Sequence, residues 1–408
     1  MSAVALGALC LAAPVLAADA DLERLQPGIY PANPVLASDA GLREPYDPFF
    51  DIDWSLGLRG VYTHSTDDES FDLRLVPGVT LNHAGTRSTI GFDGSAELVR
   101  PSEGQIDVSG LRLSGAGTYE LDSVTEVSGQ ANLSFTQAIA GTPGLADDIA
   151  IAPETLSGGF GGGVTRQFGL FNVGVTGALQ RDRYGPTTLN DGTVRDNADQ
   201  DVWSLDSGLR VGFQATPIFE VFGQAGYGRD LFDQASTTLL VKPDASEASL
   251  RGGVTGRWNS TLEATASTGV ALRRFDVDSL GEVSAQLYDA SVTYTPDPTL
   301  RLTAGLATVL APPGPDAGGT TRIGYTANAA VDYTVNSWLR LHGLAEWTKA
   351  RFSGSADTES GYGFGAGADY LVNAHTAVNA DYGFAHANST ANGIQDAHQV
   401  TLGVTLSR

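Results

Sequence analysis

From residue 51 onward, apolar and polar side chains alternate along the chain with a period of two. Ile52, Trp54, Leu56 and Leu58 alternate with Asp51, Asp53, Ser55, Gly57 and Arg59. Trp203, Leu205, Leu209, Val211 and Phe213 alternate with Ser204, Asp206, Gly208, Arg210 and Gln214. Ile323, Tyr325, Ala327, Ala329, Val331 and Tyr333 alternate with Arg322, Gly324, Thr326, Asn328 and Asp332. Successive side chains point to opposite faces of a strand, so each segment offers one apolar face and one polar or glycine face. No helical stripe competes over a comparable length. The chain reads as all-β.

Eighteen such segments follow one another, from 51–64 and 70–83 to 375–386 and 397–407. Most run for 11 to 17 residues, against about 5 or 6 for a usual globular strand. A tilted membrane-spanning strand needs roughly 9–11. The connections sort by parity. Gln137–Thr155, Arg183–Asp199, Leu231–Ala245 and the breaker-rich stretch from Pro312 to Gly319 follow odd segments, whereas even segments end in short turns such as Phe168-Gly169-Leu170 and Thr216-Pro217-Ile218. Outer-membrane barrels have short periplasmic turns and longer external loops. The pattern predicts a transmembrane antiparallel up-and-down barrel of 18 strands, with 16 as the alternative, over residues 51–408. Both termini are expected on the periplasmic side.

A weak repeat sits at the short turns. Trp258, Tyr294, Tyr333 and Tyr370 each end a strand there, 36, 39 and 37 residues apart, and Tyr119 and Phe168 hold the corresponding places earlier. The turns that follow share an Asp or Asn, as in Tyr119-Glu-Leu-Asp and Tyr370-Leu-Val-Asn. Strand propensity alone would place tyrosine in strands, but not at one fixed distance from a turn. These six aromatics are expected to form a periplasmic girdle at the membrane interface.

Composition agrees with this reading. Glycine supplies 50 residues, and charged residues are 17%, below the roughly 25% of a soluble domain. The net charge of −23 excludes nucleic acid as a partner, since phosphate binding needs clustered cations. The apolar run Ala3–Ala18, before Asp19, fits the core of a secretory signal peptide and is too short for a membrane helix. Residues 1–18 are therefore expected to be removed, after a small-x-small site at Val15-Leu16-Ala17 or Ala18-Asp19-Ala20. No Lys or Arg precedes that run, which predicts a natural start upstream of Met1. Leu9 before Cys10 does not fit a lipoprotein signal. Residues 19–50 are Pro-rich and aperiodic, and read as a periplasmic N-terminal segment.

The Pro-rich run into Tyr46-Asp47-Pro48-Phe49-Phe50 and the repeated Tyr-x-x-Asn/Asp turns resemble the beta-barrel porin 2 family of outer-membrane proteins. The resemblance covers roughly residues 45–408 and is diffuse. It implies the outer membrane of a Gram-negative bacterium and brings no catalytic residues or substrate. In the closing strand Thr401, Gly403 and Leu406 fit the pattern read by the barrel assembly machinery, but Arg408 stands where an aromatic is usual.

No catalytic or metal motif emerges. The six histidines (His64, His83, His342, His375, His386, His398) lack metal-ligand spacing. No nucleophile elbow or P-loop occurs. His64 with Asp67 and Asp68, or His386 with Asn388 and Ser389, imitate the rim sites of outer-membrane hydrolases, and solvated loop histidines are the favoured reading. The acidic stretches Asp67-Asp68-Glu69, Asp147-Asp148 and Asp276-x-Asp278 lack EF-hand spacing and read as solvated carboxylates, or as holders of divalent ions that bridge lipopolysaccharide. No enzyme activity and no cofactor are expected. The polar face carries more information. Arg59, Arg74, Asp93, Glu97, Arg112, Asp206, Arg210, Arg251, Arg273, Arg322 and Glu346 lie on it. An apolar face turned to lipid would leave these residues lining a lumen, which in a barrel of 16–18 strands holds an aqueous channel. The loop 137–155 is the candidate for folding inward as a constriction. The expected function is a porin-like channel for passive diffusion of small hydrophilic solutes. The alternatives are an outer-membrane component of polysaccharide export and a surface adhesin or structural barrel. Partners are outer-membrane lipid and lipopolysaccharide, the assembly machinery and small polar solutes.

Overall fold

The computed structural model of the chain describes residues 49–66, 69–101, 106–138, 148–314, 318–390 and 393–408. The expected signal peptide, nearly all of the Pro-rich segment, Asp67, Asp68, Asp147 and residues 139–147 of the expected constriction loop lie outside them.

Eighteen strands form one antiparallel sheet, as the alternation predicts. The first six are β1 Asp51–Ser65, β2 Glu69–Ala84, β3 Ser88–Pro101, β4 Asp107–Asp122, β5 Thr125–Gln137 and β6 Glu154–Phe168. The next six are β7 Phe171–Tyr184, β8 Val202–Gln214, β9 Phe219–Phe232, β10 Ala245–Trp258, β11 Leu262–Phe275 and β12 Glu282–Asp297. The last are β13 Leu300–Ala311, β14 Thr321–Asn336, β15 Leu339–Ser353, β16 Thr358–Asn373, β17 Thr376–Ser389 and β18 Gly393–Ser407. Each strand pairs with its neighbours in the chain. β18 then pairs with β1, from Ser55↔Ser407 to Ser65↔Ala397, and closes the barrel.

The even strands end in tight turns such as 169–170 and 259–261. Gly169 (φ 61°) and Asn259 (φ 55°) supply the left-handed backbone that such turns require. The odd strands end in long connections over one arc only. Residues 138–153, 185–201, 233–244 and 312–320 are long, whereas 66–68 and 390–392, beside the closure, are as short as the turns. The long loops brace one another. Ile149–Ile151 and Val194–Arg195 pair with Thr187–Leu189 in a small second sheet. Asp199 accepts a hydrogen bond from the Thr237 amide at 2.7 Å, which ties two loops together.

The register carries one apolar phase round the whole circumference. Leu58, Leu209, Val254, Leu302 and Val404 belong to it, and each is more than a third exposed. This is the convex surface. All six aromatics at the short turns lie in that phase and are exposed. Trp258 packs edge-to-face on Phe219 at 5.3 Å and Tyr370 on Trp338 at 5.4 Å. Phe171, Phe213 and Phe219, at strand ends beside the same turns, and Trp338, within the turn before β15, join the ring; the spacing does not point to them. A second exposed set, Trp203, Tyr227, Tyr288, Trp347 and Tyr362, lies towards the long-loop end. Trp203 and Phe213 are ten residues apart on β8. At ~3.4 Å per residue and a tilt of ~40°, that is a height of about 25 Å, the thickness of an outer-membrane apolar band.

One part of the wall departs from the meander. β12 and β13 pair between Asp289↔Ala307 and Asp297↔Leu300. Beyond Asp289 the Tyr288 amide donates to Thr308 Oγ1 at 3.0 Å, and the ladder stops. β13 and β14 remain paired up to Ala311↔Arg322.

Leu209, midway between the two aromatic sets on β8, tests the lipid-facing assignment. Leu209→Arg is expected to lower the unfolding free energy by about 2–4 kcal/mol, the cost of a cation at the bilayer midplane. Guanidinium unfolding of the reconstituted barrel, followed by tryptophan fluorescence, measures it.

Candidate functional site: the polar face of the barrel

The face opposite the exposed apolar phase is concave, and period-two alternation delivers its chemistry strand by strand. Arg59, Arg74, Glu97, Arg112, Asp206, Arg210, Arg251, Arg273, Arg322 and Glu346 all fall in this phase. Register shows it: Arg59 lies opposite Arg74, Arg112 opposite Ser95, and Arg210 opposite Gln224, which in turn lies opposite Arg251. Asp93 belongs to the same face and accepts from Thr80 Oγ1 at 3.1 Å.

Only one pair of the predicted residues forms an ion pair, Arg74 with Glu97 at 2.9 Å. Arg210, Arg273 and Arg322 meet carboxylates that the alternation does not point to. Arg210 Nη2 donates to Glu220 Oε1 at 2.7 Å, and its guanidinium stacks 3.8 Å from the Phe222 ring centre. Glu220 also receives Arg257 at 3.5 Å, and Arg257 Nε donates to Glu263 at 3.0 Å. These four side chains, with Thr165, Asn172, Gly174, Thr255 and Thr265, line a concavity of about 320 Å³ near the short-turn end. Arg273 is 2% exposed. Its Nη2 lies 2.7 Å from Asp230 and its Nη1 3.9 Å from Glu247, as charge contacts without hydrogen-bond alignment. Arg322 lies 3.6 Å from Glu359. Asp206 and Glu346 face small partners, Gly228 and Gly363.

His342 is a further member that spacing missed. Its Nε2 lies 2.7 Å from Asp381 and its Nδ1 3.6 Å from Asp369, with Asp332 opposite on β14. The phase of each of these residues is legible in the sequence. Their pairing is not, because each partner comes from another strand through the register.

Glycine sets how closely this face packs. A Cβ on Gly269, opposite Arg251, would lie 2.1 Å from the Leu250 carbonyl, so no other residue fits. On β6, Gly159, Gly161 and Gly163 face the same way and leave the wall without side chains.

Of the candidate hydrolase sites at the rim, Asp67 and Asp68 beside His64 lie outside the described residues. His386 Nδ1 lies 2.6 Å from Asp396, and its ring stacks on Tyr362 at 4.7 Å in the convex phase. His64 pairs with Glu69 at 3.1 Å. Among the described residues no group of three His, Cys, Asp or Glu side chains could hold a metal. Asp276, read as a candidate cation holder, is engaged by the Arg229 guanidinium.

The sequence matches the family described as "Putative beta-barrel porin 2" over residues 61–408. The chain belongs to this family. No curated protein matches it. Similar solved structures include Pseudomonas aeruginosa OpdK with vanillate, at 13% identity and a TM-score of 0.42, covering 88% of this chain and 99% of that one. P. aeruginosa OccK2 (OpdF) in complex with glucuronate is 9% identical, with a TM-score of 0.44 and coverages of 88% and 98%. A mutant of the P. aeruginosa ferric enterobactin receptor PfeA is 8% identical, with a TM-score of 0.44 and coverages of 88% and 80%. Membership places this porin-family barrel in the bacterial outer membrane as a porin-like channel, in contact with lipid and passing small solutes. The short turns then face the periplasm and the long loops the exterior.

Two external carboxylates are tuned by their partners. A hydrogen bond from Arg181 holds Asp233 below the usual carboxylate range, and one from Arg229 does the same for Asp276. A depressed carboxylate stabilises the fold above its unfolded pKa, and that contribution disappears as the pH falls through the folded value. Protection of the Asp276 amide, which bonds the Asp244 carbonyl at 3.0 Å, is therefore expected to persist at pH 5 and to fall below the normal carboxylate range. Hydrogen exchange on the two sides of that range reads this.

Proposed function

We propose that the barrel is a passive diffusion channel for small hydrophilic solutes, with Arg59, Arg74, Glu97, Arg112, Asp206, Arg210, Arg251, Arg322 and Glu346 lining its pore and Arg273, of the same phase but 2% exposed, buried behind that lining. The observation that carries this reading is the single polar phase around all eighteen strands. A barrel of that size encloses an aqueous bore. Its Gly, Ser and Thr positions are too small to fill the bore, and the charged positions set up a field across it. Arg59, Arg74 and Arg112 stand on β1, β2 and β4, while Arg210, Arg251 and Arg257 stand on β8 and β10, between four strands away (β4 to β8) and half a circumference away (β1 to β10). Cations on facing walls favour polar and anionic solutes over apolar ones. Tyr119, Phe168, Trp258, Tyr294, Tyr333 and Tyr370 serve as the periplasmic aromatic girdle.

The remaining assignments complete this reading. Residues 1–18 direct export, 19–50 form a Pro-rich periplasmic segment, and 51–408 form the barrel. Lys349 and Arg351 project from the convex phase of β15 near its outer end and suit the phosphates of lipopolysaccharide. β18, with Thr401, Gly403 and Leu406, is the strand that the assembly machinery reads. The chain performs no catalysis.

Purified protein in planar bilayers is expected to give stable channels. Arg210→Ala and Arg251→Ala should each shift the reversal potential towards cations by a few millivolts in a salt gradient, as loss of a lining charge requires. Unchanged selectivity in both variants counts against their lumenal role. Silent bilayers from a correctly folded, heat-modifiable barrel would sink the channel reading.

A further inference from the structure

Above Asp289 the two sides of the β12–β13 seam part company. In β13 the phase of Leu302 and Leu306 faces outward and is exposed, yet Thr308, the next in that phase, is 5% exposed. In β14 the outward phase includes Tyr333 at 43%, yet Ile323 is 4% exposed. Ile323 is buried with Ala245, Phe275, Val283 and Ala285, and Leu310 and Tyr325 pack on the same cluster. Ala245, Phe275, Val283 and Ala285 belong to the concave phase of β10, β11 and β12, because register sets them beside Arg273 and its neighbours on that face. Convex-phase side chains of one hairpin therefore rest on the concave face of the preceding strands.

That contact has one geometric meaning. The outer ends of β13 and β14, Thr308–Ala311 and Thr321–Tyr325, remain paired with each other and β14 with β15, so at the open β12–β13 seam this side of the wall overlaps the other and lies on its inner face. Val309, in the concave phase, is correspondingly 47% exposed towards the bore. The membrane permits the break at this height. The outward side chains of β12 beyond Tyr288 are Gln286, Ser284 and Glu282, a polar run, and Arg274 pairs with Glu282 at 2.7 Å. Backbone groups there meet water and headgroups instead of hydrocarbon. Burial of Ile323, Leu310, Val283 and Phe275 holds the hairpin in place.

We infer that these inward-seated ends of β13 and β14 form the constriction of the pore, and that Val309 and Arg322 on their bore-facing side determine which solutes pass. The inference rests on the channel reading and assigns its selectivity to a different element from the loop 137–155.

Three experiments test it in the full chain. In a Cys10→Ala background, Val283→Cys with Ile323→Cys should form a disulfide in the folded barrel and leave conductance unchanged. Absence of the cross-link in a heat-modifiable barrel would overturn the placement of the hairpin. Ile323→Asn with Leu310→Asn removes the apolar seat. Conductance is expected to rise about twofold, as for relief of the narrowest ring, and liposome swelling with a neutral trisaccharide should approach that with a monosaccharide. Val309→Arg should move ion selectivity towards anions at unchanged fold. Channels that conduct normally and ignore both the loss of the seat and Val309→Arg refute this inference alone. A silent wild-type barrel refutes it together with the channel reading.

Discussion

A backbone amide or carbonyl within the hydrocarbon layer has no water to bond, and each one left unpaired costs about several kcal/mol. For a chain that crosses by strands, the only complete answer is a sheet that returns to its first strand. The pairing of Ser55 with Ser407 and of Ser65 with Ala397 is that return. Everything else in the molecule follows from closure. It fixes an inside and an outside, and period-two alternation then assigns every side chain to one of them. A slip of one residue at any strand would put Arg210 or Arg251 into lipid and Leu209 or Leu250 into the bore.

Closure also explains why so many charges are tolerated in the wall. Arginines on the concave face meet carboxylates from strands on either side, as Glu220 meets Arg210 and Arg257. In an aqueous bore such pairs are partly hydrated and contribute little to stability each. Their consequence is electrostatic: they fix the positions of charge along the path of a solute. Glycines such as Gly269 keep the strands close beneath these long side chains.

The same constraint identifies where the barrel can afford to be irregular. The ladder breaks at Tyr288, where the outward residues turn polar and an aromatic ring marks the edge of the apolar band. Beyond that height the demand for pairing is relaxed, and side-chain packing takes over. The outer ends of β13 and β14 stay in the meander with β15 but part from β12 and follow apolar contacts inward.

The alternation of apolar and polar residues determined the strands, their number and the face each residue occupies, because side-chain direction in a strand is a local property of the backbone. For the same reason Tyr119, Trp258 and Tyr370 could be placed beside their turns, and eleven charged residues could be assigned to one face. The complete aromatic rings were less legible, since Phe219 begins a strand and Trp338 lies in a turn, both beyond the strand ends that the repeat marks. Partners were not legible at all. Which carboxylate meets Arg210, why His342 lies between Asp369 and Asp381, and where Ile323 is buried depend on register between segments tens of residues apart, and on the curvature of a closed wall. Alternation carries Ile323 to the lipid side by rule. Only the tertiary structure could decide otherwise, because burial against the inner face of β12 is a long-range contact that no periodicity encodes.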